Sequence, residues 1–380
     1  MHFNKFDYEM MVRAIHLAKQ GQFTTSPNPN VGCVIVKNNQ IIGEGAHFYA
    51  GGPHAEVNAL KQAMAQAEGA TCYVTLEPCS HYGRTPPCAK TLVDAKVARV
   101  VVAMVDPNPQ VSGRGLSILT EAGISVDTGL LTAQAEALNP GFIKRMKTGL
   151  PFLTAKLAIS LDGKVALENG LSKWITGPEA RNDVQLHRAQ SCAILSGADT
   201  VLQDDAKLNV RWQTHLKLNA IDEQLRRQPV RIIIDSQHRL TPDLALFSVL
   251  SKIVLVRTKP DNQSTCQSSY QWPEHVEEVE LEANSQGKVD LTALLTWCGA
   301  AGLNNVWLEA GATLCGQFMQ QNLVDELILY QATKLLGDKA LDMLTLAPIS
   351  DMENVLHFSK TELTQVGDDM KYRLIPQSKR

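Results

Sequence analysis

The feature that most constrains this chain is a set of three residues, His54, Cys79 and Cys88, that zinc chemistry wants at one point. Zinc binds imidazole nitrogen and thiolate sulfur, and a catalytic site needs three protein ligands with one position left open. One histidine and two cysteines give that count. The metal lowers the pKa of water at the open position, so a nucleophile is available near neutral pH. A carboxylate that is not a ligand must then shuttle protons to the departing group, and Glu56 stands two residues from His54. In a regular helix, positions i and i+2 face nearly opposite ways. His54 and Glu56 therefore serve one site only at a helix start, which Pro53 favours. Cys79 and Cys88 are expected in the loop after a strand over 71–76, with Cys88 near the next helix start, where the helix dipole favours thiolate. Two other readings exist for these residues. One is a structural zinc knot, with His81 as a candidate fourth ligand; the other is a core histidine with two unrelated cysteines.

At 380 residues the chain is too long for one ordinary core, and two domains are expected. Hydrophobic residues at 44% and charged residues at 20% suit a soluble globular protein. A net charge of -3 gives no overall field for nucleic acid or anionic membrane, although a local basic patch can still bind one phosphate. The N-terminus lacks the basic start and apolar run of a signal peptide, and no uncharged apolar stretch reaches transmembrane length. A cytoplasmic location follows as an expectation, with the eight cysteines as thiols or metal ligands. Cys33, Cys72, Cys192, Cys266, Cys298 and Cys315 read as core filler or surface thiols.

Apolar spacing predicts a helix from Asp7, with Asp7 as its N-cap. Strands over 31–36 and around 41–42, a helix over 53–67, the strand over 71–76, a helix over 87–95 and a valine-rich strand over 98–105 follow. This β-β-α-β-α-β order is that of a sheet with helices packed on its faces. A second regime begins near residue 148, dividing the chain into 1–148 and 149–380. It carries strands over 152–159, 192–196, 230–234, 252–256 and 305–308 and a helix over 178–190, again α/β. The polar stretches 212–227 and 258–274 are expected as surface excursions.

The metal residues resemble the zinc-dependent nucleobase and nucleotide deaminases, whose pattern is His-x-Glu followed by Pro-Cys-x-x-Cys. This chain departs from it, because the second cysteine comes later, after Ser80-His81-Tyr82-Gly83-Arg84-Thr85-Pro86-Pro87. That long insert, with Thr25-Ser26-Pro27-Asn28-Pro29-Asn30-Val31-Gly32-Cys33 and Asp106-Pro107-Asn108-Pro109, looks like the deaminase half of the bifunctional riboflavin-biosynthesis deaminase/reductase family. Arg84 would give a substrate 5′-phosphate a guanidinium partner, or else be a solvated loop residue. Asn28 would bond a pyrimidine edge or a ribose hydroxyl, or else form the turn.

The second half lacks the Gly-x-Gly-x-x-Gly and P-loop fingerprints. Glu309-Ala310-Gly311-Ala312-Thr313-Leu314-Cys315-Gly316-Gln317 does follow a buried strand and open a helix, an arrangement that can hold a pyrophosphate but is also common architecture. The runs 156–164, 172–176 and 197–205 resemble the same family's reductase half. The resemblance implies a cytidine-deaminase-like N-terminal domain and a dihydrofolate-reductase-like C-terminal domain, with Zn2+ and NADPH as cofactors. It implies that Ala158, Trp174, Thr200, Asp204 and Ser236 line the NADPH groove and that Gly311, Ala312, Thr313, Leu314, Cys315, Gly316 and Gln317 hold its phosphates. Ser172, Arg188, Leu208, Arg211 and Glu309 are implied to contact substrate. Trp174 also reads as a core residue and Arg188 as a solvated helix face. Lys156, inside an apolar strand, either ends at the strand edge or assists ring opening of the ribose.

The implied activity is zinc-dependent deamination of 2,5-diamino-6-ribosylamino-4(3H)-pyrimidinone 5′-phosphate, followed by NADPH-dependent reduction of the ribosyl group. The expected partner is this small phosphorylated pyrimidine, with no nucleic acid and no membrane, in a chain that leaves room for a homo-oligomer. A tRNA or nucleoside deaminase is the enzymatic rival, and a zinc-stabilised nucleotide-binding module the non-enzymatic one.

Overall fold

The computed structural model describes residues 3–80, 86–109, 111–259 and 270–377. It separates into two compact units, Met1–Leu150 and Pro151–Arg380. No helix among the described residues is long and apolar enough to cross a membrane.

In the first unit, β1 (Gly32–Lys37), β2 (Gln40–Ala46), β3 (Thr71–Val74), β4 (Arg99–Val102) and β5 (Ser125–Thr128) form one sheet in the order β2-β1-β3-β4-β5. β1 runs antiparallel to β2 and β3, whereas β3, β4 and β5 are parallel. Successive strand residues face opposite sides, so one strand serves two cores. Cys33 and Ile35 of β1 join Val100 and Val102 of β4 against helices Ala55–Ala63, Cys88–Asp94 and Arg114–Glu121. Val34, Val36, Tyr73 and Val101 face Met11, Ala14 and Leu17 of helix Lys5–Ala18, with Phe142 of helix Pro140–Thr148 at the margin.

That first helix begins two residues before Asp7. Asn4 is the N-cap and Asp7 is its N3 partner in a capping box, so Asp7 completes the cap rather than forming it. Helix Ala55–Ala63 lies unusually close to β2. A Cβ at Gly43 would sit 2.2 Å from the Ala59 carbonyl oxygen, and one at Gly45 2.2 Å from that of Ala55. Glycine at these two positions lets the helix start come down onto the sheet.

The second unit is built on β6 (Phe152–Ile159), β7 (Lys164–Ala166), β8 (Ala193–Gly197), β9 (Val230–Ile234), β10 (Ile253–Thr258), β11 (Val276–Leu281), β12 (Asn305–Leu308), β13 (Glu326–Gln331), β14 (Leu341–Asp342), β15 (Phe358–Val366) and β16 (Asp369–Pro376). Among the described residues, all but β7 and β14 form one sheet in the order β11-β10-β9-β8-β12-β6-β13-β16-β15. Its strands from β11 to β13 are parallel, and β16 and β15 close the edge as an antiparallel hairpin. The chain leaves β8 through helix Ala198–Asp204 toward β9 on one side, and leaves β12 through helix Ala312–Gln320 toward β13 on the other. β8 and β12 are neighbours, so a crevice opens between their carboxyl ends, where ligands of open α/β sheets bind.

The stretch expected as a surface excursion over 212–227 is partly core, since Trp212 and Leu218 are buried. Of the expected filler cysteines, Cys33, Cys72, Cys192, Cys298 and Cys315 are buried, and Cys266 lies outside the described residues.

Candidate active sites

His54 is the residue just before helix Ala55–Ala63 and has extended backbone angles (φ -72°, ψ 164°), while Glu56 is in the first turn. The change of direction at the cap lets i and i+2 face one point. Cys79 follows the end of β3, and Cys88 opens helix Cys88–Asp94. The Cys88 backbone N–H donates to Cys79 Sγ at 3.3 Å, so a helix start stabilises that sulfur. His54 Nδ1 lies 3.2 Å from Cys88 Sγ and 3.6 Å from Cys79 Sγ, and the three ligand atoms all fall within 4.8 Å of one another. Edges of about 3.5 Å are those of a tetrahedron around zinc. The donor set and its spacing fit the ion.

Hydrogen bonding from the Cys88 thiol, against the effect of burial and aided by His54, brings Cys79 down to about 4. Cys88, as donor in that pair, is pushed the opposite way. Burial, then the neighbouring Cys79, raises Glu56 to about 7. A carboxyl so placed can both take and give a proton near neutral pH.

His54, Glu56 and Cys79 open into a cavity of about 310 Å³ that also takes in Asn28, His47, Asp106, Asn108, Phe142 and Met146. His47 is buried, and its Nδ1 lies 3.0 Å from the Pro53 carbonyl oxygen, which can only accept. Nδ1 therefore carries the proton, and the Asn28 amide N–H donates to Nε2 at 3.1 Å. Asn139 clamps the Asn28 loop, accepting from the Asn30 N–H at 2.7 Å and donating to the Asn30 carbonyl at 2.8 Å. Glu77 is the residue that motif reading passed over. Its buried carboxylate accepts backbone N–H groups of Asp106, Gly113 and Gly115 at 2.9–3.0 Å and of Leu116 at 3.4 Å, tying the metal loop to the opposite wall. It stands two residues before Cys79, but nothing in the local sequence reveals its partners. Arg84 and His81 lie outside the described residues.

In the second unit the expected cofactor residues gather at the carboxyl ends of the parallel strands. Ala158 is near the end of β6, Thr200 and Asp204 are in helix Ala198–Asp204 after β8, and Ser236 follows β9. Gly311 precedes helix Ala312–Gln320, no side chain caps that start, and a Cβ at Gly311 would meet nothing within 4 Å. An uncapped helix start facing open space suits the pyrophosphate of NADPH. Ala312, Thr313, Leu314 and Gln317 are at least partly accessible, whereas Cys315 and Gly316 turn into the core. Trp174 is 61% exposed, so it is not core, and the Arg181 guanidinium covers its ring at 4.3 Å.

The expected substrate residues behave less uniformly. Arg188 is no solvated helix face. It donates through Nε and Nη2 to Glu309 at 2.6 and 2.7 Å and through Nη1 to the Asn209 carbonyl at 2.8 Å. Glu309 is held at about 2, its burial more than offset by Arg188 and Lys156. Lys156 is lowered by burial, against the pull of Glu309. Arg211 is exposed and is lowered by partial desolvation and by the charges of Arg188 and Arg181, so cations outnumber anions here. Ser172 is partly accessible; Leu208 puts its side chain into the core with φ +49°.

With both sites described, the chain can be set beside known proteins. It is 49% identical over 377 residues to riboflavin biosynthesis protein RibD of Escherichia coli, covering 97% of this chain and 99% of that one. The chain belongs to the RibD family. The RibD protein of Haemophilus influenzae is 48% identical over 380 residues, with 99% of each covered. The family description "RibD C-terminal domain" matches residues 151–372, and "Cytidine and deoxycytidylate deaminase zinc-binding region" matches 4–104. Among solved structures, Acinetobacter baumannii RibD superposes with a TM-score of 0.89 at 45% identity, covering 98% of this chain and 99% of the other. A Thermotoga maritima structure described as a diaminohydroxyphosphoribosylaminopyrimidine deaminase/5-amino-6-(5-phosphoribosylamino)uracil reductase gives 0.84 at 32% identity, with the same coverage. The chain is therefore a bifunctional enzyme of riboflavin biosynthesis, with a zinc-binding deaminase region and a reductase domain of the NADPH type.

Proposed function

We propose that the chain removes the C2 amino group of 2,5-diamino-6-ribosylamino-4(3H)-pyrimidinone 5′-phosphate, then reduces the ribosyl group of the deaminated product to ribityl. The observation that carries the reading is the meeting of His54, Cys79 and Cys88 around one point with buried Glu56 beside them. The description of the Thermotoga relative supports the choice of substrate. The deaminase is assigned to 1–148 and the reductase to 149–380.

Zinc held by His54, Cys79 and Cys88 supplies the Lewis acidity that makes water nucleophilic. Glu56 takes the proton of the attacking water on its carboxylate and returns it to the leaving nitrogen, which departs as ammonia. Asn28, oriented by His47, bonds the pyrimidine or its ribose, and Arg84 takes the 5′-phosphate. Phe142 and Met146 line the cavity as apolar wall.

NADPH supplies the hydride. The backbone from Gly311 to Gln317 holds its phosphates, with Ala158, Trp174, Thr200, Asp204 and Ser236 along the groove. Arg211 takes the substrate phosphate, because Arg188 spends three of its N–H groups on Glu309 and Asn209. Ser172, Glu309 and the backbone of Leu208 line the sugar. Lys156, buried beside Glu309, moves a proton to the ribose ring oxygen as the ring opens.

The test supplies zinc-loaded protein with the diaminopyrimidine ribotide and follows ammonia release and NADPH oxidation separately. Glu56→Gln is expected to abolish ammonia release while deaminated substrate is still reduced. Loss of both activities in a folded Glu56→Gln protein would overturn the two-site reading.

A further inference from the structure

Glu309 follows β12, and Trp307 lies two residues earlier on that strand. In extended backbone, i and i+2 share a side, and the Trp307 indole N–H donates to Glu309 Oε1 at 2.7 Å. Arg188 Nε reaches the same oxygen at 2.6 Å, and Arg188 Nη2 reaches Oε2 at 2.7 Å. A carboxylate has about four acceptor positions, so one remains, on Oε2. The Arg188 fork keeps guanidinium and carboxylate coplanar, but it does not by itself fix where the joined pair sits over the sheet.

Trp307 can fix it. The indole is 1% exposed and lies parallel to the His187 imidazole, 4.9 Å away at 3°. His187 is itself held, with Lys371 Nζ 3.0 Å from its Nε2. Lys371 also donates to Asp183 Oδ2 at 2.7 Å, an oxygen that the Tyr330 hydroxyl reaches at 2.5 Å. Helix Pro178–Gln190, β13 and β16 thus brace one aromatic ring whose only polar atom is spent on Glu309.

We propose that Trp307 is a positioning residue of the reductase, its N–H setting the Glu309 carboxylate so that a single Oε2 acceptor faces the ribosyl group. The inference rests on the reading of Glu309 as a substrate contact. Two replacements at 307 separate the N–H from the ring: Trp307→Phe, and the isosteric benzothienylalanine, which carries sulfur in place of the N–H. Both are expected to lower reductase kcat on deaminated substrate about tenfold, with KM for NADPH and ammonia release unchanged. Full reductase kcat in the benzothienylalanine protein would overturn the proposal, whatever Trp307→Phe does, because ring packing alone would then suffice. A fall in kcat matched by an equal rise in KM for NADPH would overturn it too. Glu309→Gln separates the two claims. If that change leaves reduction intact, Glu309 is no substrate contact; if it abolishes reduction while both Trp307 replacements are fully active, only the role of Trp307 falls.

Discussion

Gly115→Ala should damage the zinc site from the far side of the deaminase wall. Gly115 lies in the first turn of helix Arg114–Glu121. A Cβ there would stand 2.0 Å from the Pro78 carbonyl oxygen and 3.2 Å from Glu77 Oε1. The nearer atom is backbone, which has no rotamer to escape into, so the 78–79 peptide and the helix must part by about 1 Å. Metal ligands tolerate displacements of only about 0.2 Å, and Cys79 is the next residue. A misplacement of about 1 Å at a catalytic group can cost about 100-fold; overpacking adds about 1–3 kcal/mol of destabilisation. The expected result is a drop of about 100-fold in kcat/KM for ammonia release, with zinc lost at chelator concentrations the parent protein resists. NADPH oxidation with deaminated substrate should be unchanged and serves as the internal control. Gly123→Ala controls for strain alone, since Gly123 has φ +83° and a Cβ there meets nothing within 4 Å. Normal zinc retention and normal ammonia release in folded Gly115→Ala would refute this account of how Glu77 and Gly115 hold the metal loop.

Four further outcomes can be measured. Zinc removal by a chelator should abolish ammonia release and leave reduction of deaminated substrate intact, with zinc content tracking the loss. Arg188→Leu removes the bidentate partner of the buried Glu309 carboxylate, leaving it the Trp307 N–H and the charge of Lys156, and should destabilise the second unit by up to about 3–5 kcal/mol in urea unfolding. The same pair predicts acid sensitivity. Glu309 has its pKa depressed from 4.5 to about 2 on folding, so its contribution is complete above 4.5 and is lost as pH falls through about 2. In Glu309→Gln this part of the acid limb should vanish. Trp174→Ala removes an exposed ring and should raise KM for NADPH about three- to tenfold, a stacking effect of about 0.5–1.5 kcal/mol, with the deaminase untouched.

Local pattern carried much of the architecture. Helix Pro178–Gln190 and strands β9 and β12 have the limits that apolar spacing and flanking turns imply, because each buries a whole face and little else competes. The hairpin of β15 and β16 was not legible. β15 is largely exposed, so it shows no buried face to read, and its pairing is set by a partner across a turn. β5 escaped for the same reason, none of its residues being fully buried.

What the sequence determined by itself is chemistry that depends on residue type and short spacing. His54, Glu56, Cys79 and Cys88 name a metal and a proton carrier, and the requirement for a helix start at His54 follows from helical geometry alone. Only the tertiary structure decided which polar groups hold one another. Glu77 grips a loop that begins at Asp106, and Arg188 turns inward to Glu309 instead of outward to solvent. The Trp307 ring that meets Glu309 packs against His187, which Lys371 and Asp183 hold in turn. A buried charge must find its partner wherever the fold brings one, and no spacing along the chain encodes that distance.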